Sequence, residues 1–244
     1  MERDTVSGFE PEPEPESDPG PEPESDPGPE PDPGSERRPG TRRLGDLVNH
    51  DHVLVRLVAL WTLCALAFVL AWAVAYHFLP EGLLRRPLPG PVAGTADTVR
   101  EEFLRIFAWN LGYALVIVAA NTFRSVRTPM GYLVVLVTWV QGAVVWGTNS
   151  LAVPAGRLVP SLSVALGRSG VYELTAFVAI AVATRGVMVW HQRSTPRWRE
   201  DFERVRGPRE WTVTIPEALV LVVGVALLAL ANYREAVLLV AAGG

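Results

Sequence analysis

Lysine is absent from this chain of 244 residues, and all 22 basic residues are arginine. The bias of a GC-rich genome accounts for this, as it does for the abundance of alanine, valine and glycine. Arginine richness alone therefore argues for no particular ligand. Cysteine is nearly absent as well. The single Cys64 excludes an intramolecular disulfide and sits in an apolar run with no basic neighbour to stabilise a thiolate, so it is expected to be buried and inert. Neither HExxH nor GxSxG occurs, and there is no Walker-type phosphate loop. These absences remove the readiest routes to metalloprotease, serine hydrolase and nucleotide-hydrolysing chemistry.

The chain joins two unlike polymers. Residues 1–36 hold 13 acidic residues against one arginine, whereas residues 37–244 hold 13 acidic residues against 21 arginines. The formal net charge of −4 is the sum of these opposed parts and describes neither. The octet PEPESDPG at 13–20 recurs unchanged at 21–28 and is followed by PEPDPG. Alternating proline removes amide donors, and repeated like charge swells the chain. Residues 1–43 are expected to form a disordered acidic tail, a solvated brush with too little apolar surface to offset ordering.

The character changes in the domain expected at 44–244. Five runs reach the roughly 20 apolar residues that a helix needs to cross hydrocarbon: Leu57–Phe78, Phe103–Phe123, Met130–Ala152, Val171–His191 and Thr212–Asn232. They do not alternate as barrel strands would. The expected fold class is all-α: a polytopic helical membrane protein with about five transmembrane helices. A half-membrane helix is expected at 158–169, in a stretch too short to cross and too apolar for an ordinary loop. Thr95 or Asp97 would cap the second helix.

Arginines orient these spans. Thirteen fall between 37 and 56, at 124 and 127, and between 193 and 209, whereas six fall between 85 and 100, between 157 and 168, and at 234. The excess places the N-terminus in the cytoplasm and the C-terminus outside.

Chemistry in such a protein would rest on intramembrane polar groups. Asn110 and Asn121 lie 11 residues apart, about 20° around one helix. Gln141 and Asn149 mark the third run. Amides among small residues serve helix packing in lipid, or else line a polar path. Glu173 opens the fourth run, and Arg185 lies 12 residues later, roughly 18 Å along the axis, so the two do not pair. Arg185 is expected to snorkel to headgroups. Glu217 and Glu235 flank the last run. His50, Asp51 and His52 form too poor a donor set for a metal site.

Three segments, FLRIFAWNLGYAL (103–115), GVYELTAFVAIAVA (170–183) and LALANYREAVL (228–238), resemble the stage II sporulation protein M family of prokaryotic integral membrane proteins. Asn110, Gly170, Glu173 and Glu235 match its motifs, while Arg168 and Ser169 stand where the family carries Pro and His. The resemblance implies a non-enzymatic scaffold in the cytoplasmic membrane of a prokaryote. In spore formers, such scaffolds recruit peptidoglycan-remodelling proteins during engulfment. The expected partners are membrane lipid and a membrane or cell-envelope protein. No cofactor, metal or nucleic acid is expected, and oligomerisation is left open. The alternative is a small-solute or ion transporter or channel using Glu173, Glu235, Asn110, Asn121 and Asn149. A hydrolase built on Ser169 ranks third.

Overall fold

The computed structural model describes residues 39–84, 96–150, 159, 169–192 and 202–243. The acidic repeat, the half-membrane helix expected at 158–169 (but for positions 159 and 169) and the arginine-rich stretch 193–201 lie outside the described residues.

Six helices appear among the described residues: α1 (Pro39–Val48), α2 (Val53–Phe78), α3 (Val99–Asn121), α4 (Met130–Gly147), α5 (Gly170–Ala183) and α6 (Ile215–Gly243). Four of them, α2, α3, α4 and α6, are long and apolar enough to cross a membrane. Their outward faces are apolar too: Leu66 and Leu70 on α2, Leu115 on α3, and Leu219, Val222 and Leu230 on α6 are all exposed. An apolar exterior of this kind is stable against lipid rather than water. α1 starts at Pro39, inside the stretch expected to be disordered to residue 43.

The helix boundaries follow from local chemistry. Thr98, rather than Thr95 or Asp97, caps α3: its hydroxyl accepts from the Glu101 amide at 3.2 Å. Glu101 and Glu102 in the first turn suit the positive end of the dipole. α6 opens with a reciprocal cap, in which the Glu217 carboxylate accepts from the Thr214 amide at 2.9 Å and Thr214 Oγ1 accepts from the Glu217 amide at 3.4 Å.

The fourth expected span needs correction. Its helix ends at Ala183 instead of continuing to His191. Fourteen residues give a rise of about 21 Å, short of the roughly 30 Å hydrocarbon core. All eight residues from Ala176 to Ala183 are buried. α5 is apolar on every side because it is enclosed by other helices, a composition that hydropathy cannot tell from lipid exposure. Smaller differences affect the other runs. α2 begins four residues early, α3 stops before Phe123, α4 stops at Gly147, and α6 runs past Asn232.

Beyond Ala183 the chain turns through a short 3-10 segment, Arg185–Val187, into strand β3 (Trp190–Gln192). With β1 (Phe123–Ser125), β2 (Thr128–Pro129) and β4 (Glu203–Arg204) it forms a small sheet ordered β2-β1-β3-β4. β1 and β3 run parallel, with Phe123 beside Trp190 and their rings stacked at 6.3 Å. This sheet closes one end of the bundle, called here the sheet end. It gathers the C-termini of α3 and α5 and the N-termini of α2, α4 and α6.

The centre is dry. Leu60, Cys64, Ile117, Val135, Val178, Ile180, Val182 and Leu228 are at most 1 % exposed and pack as one core with Trp139. Close approach at the sheet end depends on Gly131, where a Cβ would collide with Asn121 Oδ1 and sit 2.7 Å from the Ile117 carbonyl.

Candidate functional site

At the end opposite the sheet, three helices bring four polar side chains together. Asn110 of α3 donates through Nδ2 to Asn232 Oδ1 of α6 at 2.9 Å, and more weakly to Glu173 Oε1 of α5 at 3.4 Å. Glu235 of α6 lies beside Glu173 in the same cluster. Ser169, just before α5, donates to Glu235 Oε2 at 3.1 Å. Asn232 is fully buried, and its Nδ2 has no partner among the described residues. Two carboxyls and two amides from distant parts of the chain thus form one network.

The network borders a cavity of about 490 Å³ between α2, α3, α4 and α5. Phe68, Trp109, Trp146 and Phe177 wall it, and Asn110, Gln141 and Glu173 contribute polar groups. The Tyr113 hydroxyl is hydrogen-bonded to Thr138 Oγ1, and the Tyr113 ring meets Phe177 edge-on at 5.2 Å. Gly170 also lines the cavity, where a Cβ would lie 3.8 Å from Trp146, so its smallness widens the mouth rather than relieving a clash. Aromatic walls with a few convergent polar groups are the usual make-up of a small-molecule or side-chain pocket.

The residues singled out from the sequence divide between two fates. Asn110, Gly170, Glu173 and Glu235 converge on this site. Asn121 does not. It is fully buried at the sheet end, where Nδ2 donates to the Ala181 carbonyl and to Thr184 Oγ1, each at 2.8 Å. Asn149 lies beyond the C-terminus of α4 with a φ of 48°, a conformation that asparagine tolerates, and donates to Glu81 Oε1 at 2.7 Å. The shared face inferred for Asn110 and Asn121 does point at α5, but the two amides meet it at opposite ends. Between them, Ala114, Ile117, Phe177, Val178 and Ile180 are at most 4 % exposed. These asparagines therefore line no common path among the described residues.

Sequence reasoning misses Asn232, Tyr113 and Thr138. Asn232 follows the small-residue run of α6 at a position where an amide in lipid must find a partner, and that is the available signal. The expectation for Arg185 is corrected too. It does not reach outward but donates through Nη1 to the carbonyls of Asn49 and His50, both at 2.9 Å. Loss of helix after Ala183 brings it to the α1–α2 turn. Arg105 is engaged by Glu102, one turn earlier on α3.

Comparison with protein-family models, curated proteins and solved structures finds no match to this chain.

Proposed function

We propose that this chain is a non-enzymatic integral membrane protein of the stage II sporulation protein M kind, a scaffold that engages a membrane or cell-envelope partner through the Glu173 cavity. One observation carries the reading. The three segments that bear the resemblance, far apart in sequence, contribute Asn110, Glu173 and Glu235 to a single network beside an aromatic-walled cavity. Intramembrane ionisable groups are costly and tend to mark function. The closely packed apolar core behind the network favours a docking site over a conduit. Ser169 donates to a carboxylate and not to an imidazole, which disfavours a serine hydrolase. The arginine distribution supports a cytoplasmic N-terminus in a prokaryotic plasma membrane.

A transporter is the second reading, favoured by the same pair of carboxyls. Proton-coupled carriers use intramembrane carboxyls of this kind. The two readings part in reconstituted liposomes. A scaffold gives no saturable proton or solute flux in either the wild type or Glu173→Gln, while the substitution changes the proteins crosslinked in native membranes. Saturable flux abolished by Glu173→Gln would overturn the scaffold and establish the carrier.

A further inference from the structure

At the sheet end, far from the cavity just described, a second recess of about 350 Å³ is lined by Arg124, Arg127, Arg185 and His191 together with Asp46 and Asp51. We propose that this recess is a phosphate-binding site in which the guanidinium of Arg124 is the central ligand.

The arginines around it differ in how they are already used. Arg56, only 2 % exposed, donates to the carbonyls of His50 and Asp51 at 2.8 Å and to Glu217 at 2.5 Å. Arg185 is held by the same turn, and Asp51 reaches it only at 3.8 Å from a fully exposed carboxylate. Arg127 is paired with Asp46 at 2.8 Å, both exposed. Of these four, Arg124 alone is unengaged. Its side chain has no hydrogen bond or ion pair among the described residues, and its Nε is buried without a partner. The hydroxyl of Tyr132, also buried and unpartnered, lies within electrostatic reach of Arg56, Arg124 and Arg185.

Four guanidiniums thus face three carboxylates, and Arg206 adds a further positive charge. Burial, followed by the like charges of Arg185, Arg206 and Arg56, pulls the Arg124 pKa below the ordinary arginine value. An anion relieves both penalties at once. A phosphate is the matching group, since its tetrahedral oxygens take the forked donors of two or more arginines.

The backbone beside Arg124 is strained in the same sense. Val126 is β-branched yet held at a φ of 54° by two bonds to β3: its amide donates to the Gln192 carbonyl at 2.7 Å, and its carbonyl meets His191 Nε2 at 2.8 Å. Strain of this kind persists where the surroundings impose it, commonly at ligand sites. The turn sets Arg124 and His191 on adjacent parallel strands, in register across the floor of the recess.

Two sources of phosphate are distinguishable: a lipid headgroup at the membrane boundary and a free phosphate in solution. The full chain is purified in an uncharged maltoside detergent. One arm measures thermal unfolding in sodium phosphate against sodium chloride at equal ionic strength. The other measures, by native mass spectrometry, retention of phosphatidylglycerol against phosphatidylcholine from mixed micelles. Stabilisation by inorganic phosphate assigns the site to a soluble phosphate. Selective retention of phosphatidylglycerol without a phosphate response assigns it to lipid. In either case Arg124→Gln weakens binding roughly tenfold or more while leaving the unliganded protein as stable as before or more so, because it removes an uncompensated charge. Should Arg124→Gln fail to fold, Arg124→Lys is the substitute: it keeps the charge, loses the fork, and still weakens binding. Absence of both responses in the wild type overturns the proposal, as does a variant that binds undiminished.

Discussion

Arg56 at the start of α2 donates to the carboxylate of Glu217 at the start of α6 at 2.5 Å, across 161 positions of chain, and both side chains are at most 10 % exposed. The pair ties the first long helix to the last, and Glu217 also completes the cap of α6.

Breaking one half of this pair leaves the other charge buried. Glu217→Ala is expected to cost about 3–5 kcal/mol, read by unfolding in mixed micelles of increasing dodecyl sulfate fraction. The double variant Arg56→Met, Glu217→Leu should recover much of that loss. Equal instability of single and double variants would show that capping, not charge pairing, dominates.

The amide pair Asn110–Asn232 is testable separately from function. A double-mutant cycle with Asn110→Ala and Asn232→Ala should give a coupling of about 0.6–2 kcal/mol, measured by the same unfolding assay. Strict additivity of the two losses would remove the bond from the network.

Two glycines on neighbouring helices should respond in opposite ways. Gly131→Ala forces a methyl into Asn121 and the Ile117 carbonyl and is expected to cost about 2–4 kcal/mol. Gly112→Ala meets nothing within 4 Å and should be neutral or stabilising by up to about 1 kcal/mol. Thermal melting in detergent distinguishes them, and similar melting points would contradict the tight α3–α4 crossing.

Cys64 is fully buried in the core, so a maleimide should not label it in the folded protein and should label it after denaturation. With Cys64 replaced, two exposed positions report sidedness. Asp97→Cys should label from outside intact cells, and Arg206→Cys only after permeabilisation. The reverse pattern would invert the topology inferred from arginine counts.

The membrane helices are legible in the sequence because α2, α3, α4 and α6 each need a long apolar run, and such runs survive without knowledge of neighbours. α5 is legible as helix but not in length. Valine, alanine and isoleucine look alike whether they face lipid or the interior of a bundle. The sheet leaves no signal at all. Its strands are two or three residues long, too short to alternate, and β1 and β3 pair across 67 positions. In the candidate site, Glu173 and Asn110 stand out as polar groups in apolar runs. Their meeting with Asn232 depends on how α3, α5 and α6 cross, which no local pattern encodes. Arg185 misleads because its destination, the turn at Asn49–His50, forms only once the bundle has assembled.

The brevity of α5 has a consequence for how the protein is made. A helix of about 21 Å does not sit stably across lipid by itself, and translation delivers it before α6 exists. Its flank at Ala176, Ala179 and Ile180 packs against Gly224 of α6, where a Cβ would lie 3.1 Å from the Ala179 methyl. α5 therefore depends for its place in the bundle on the helix that follows it in the chain.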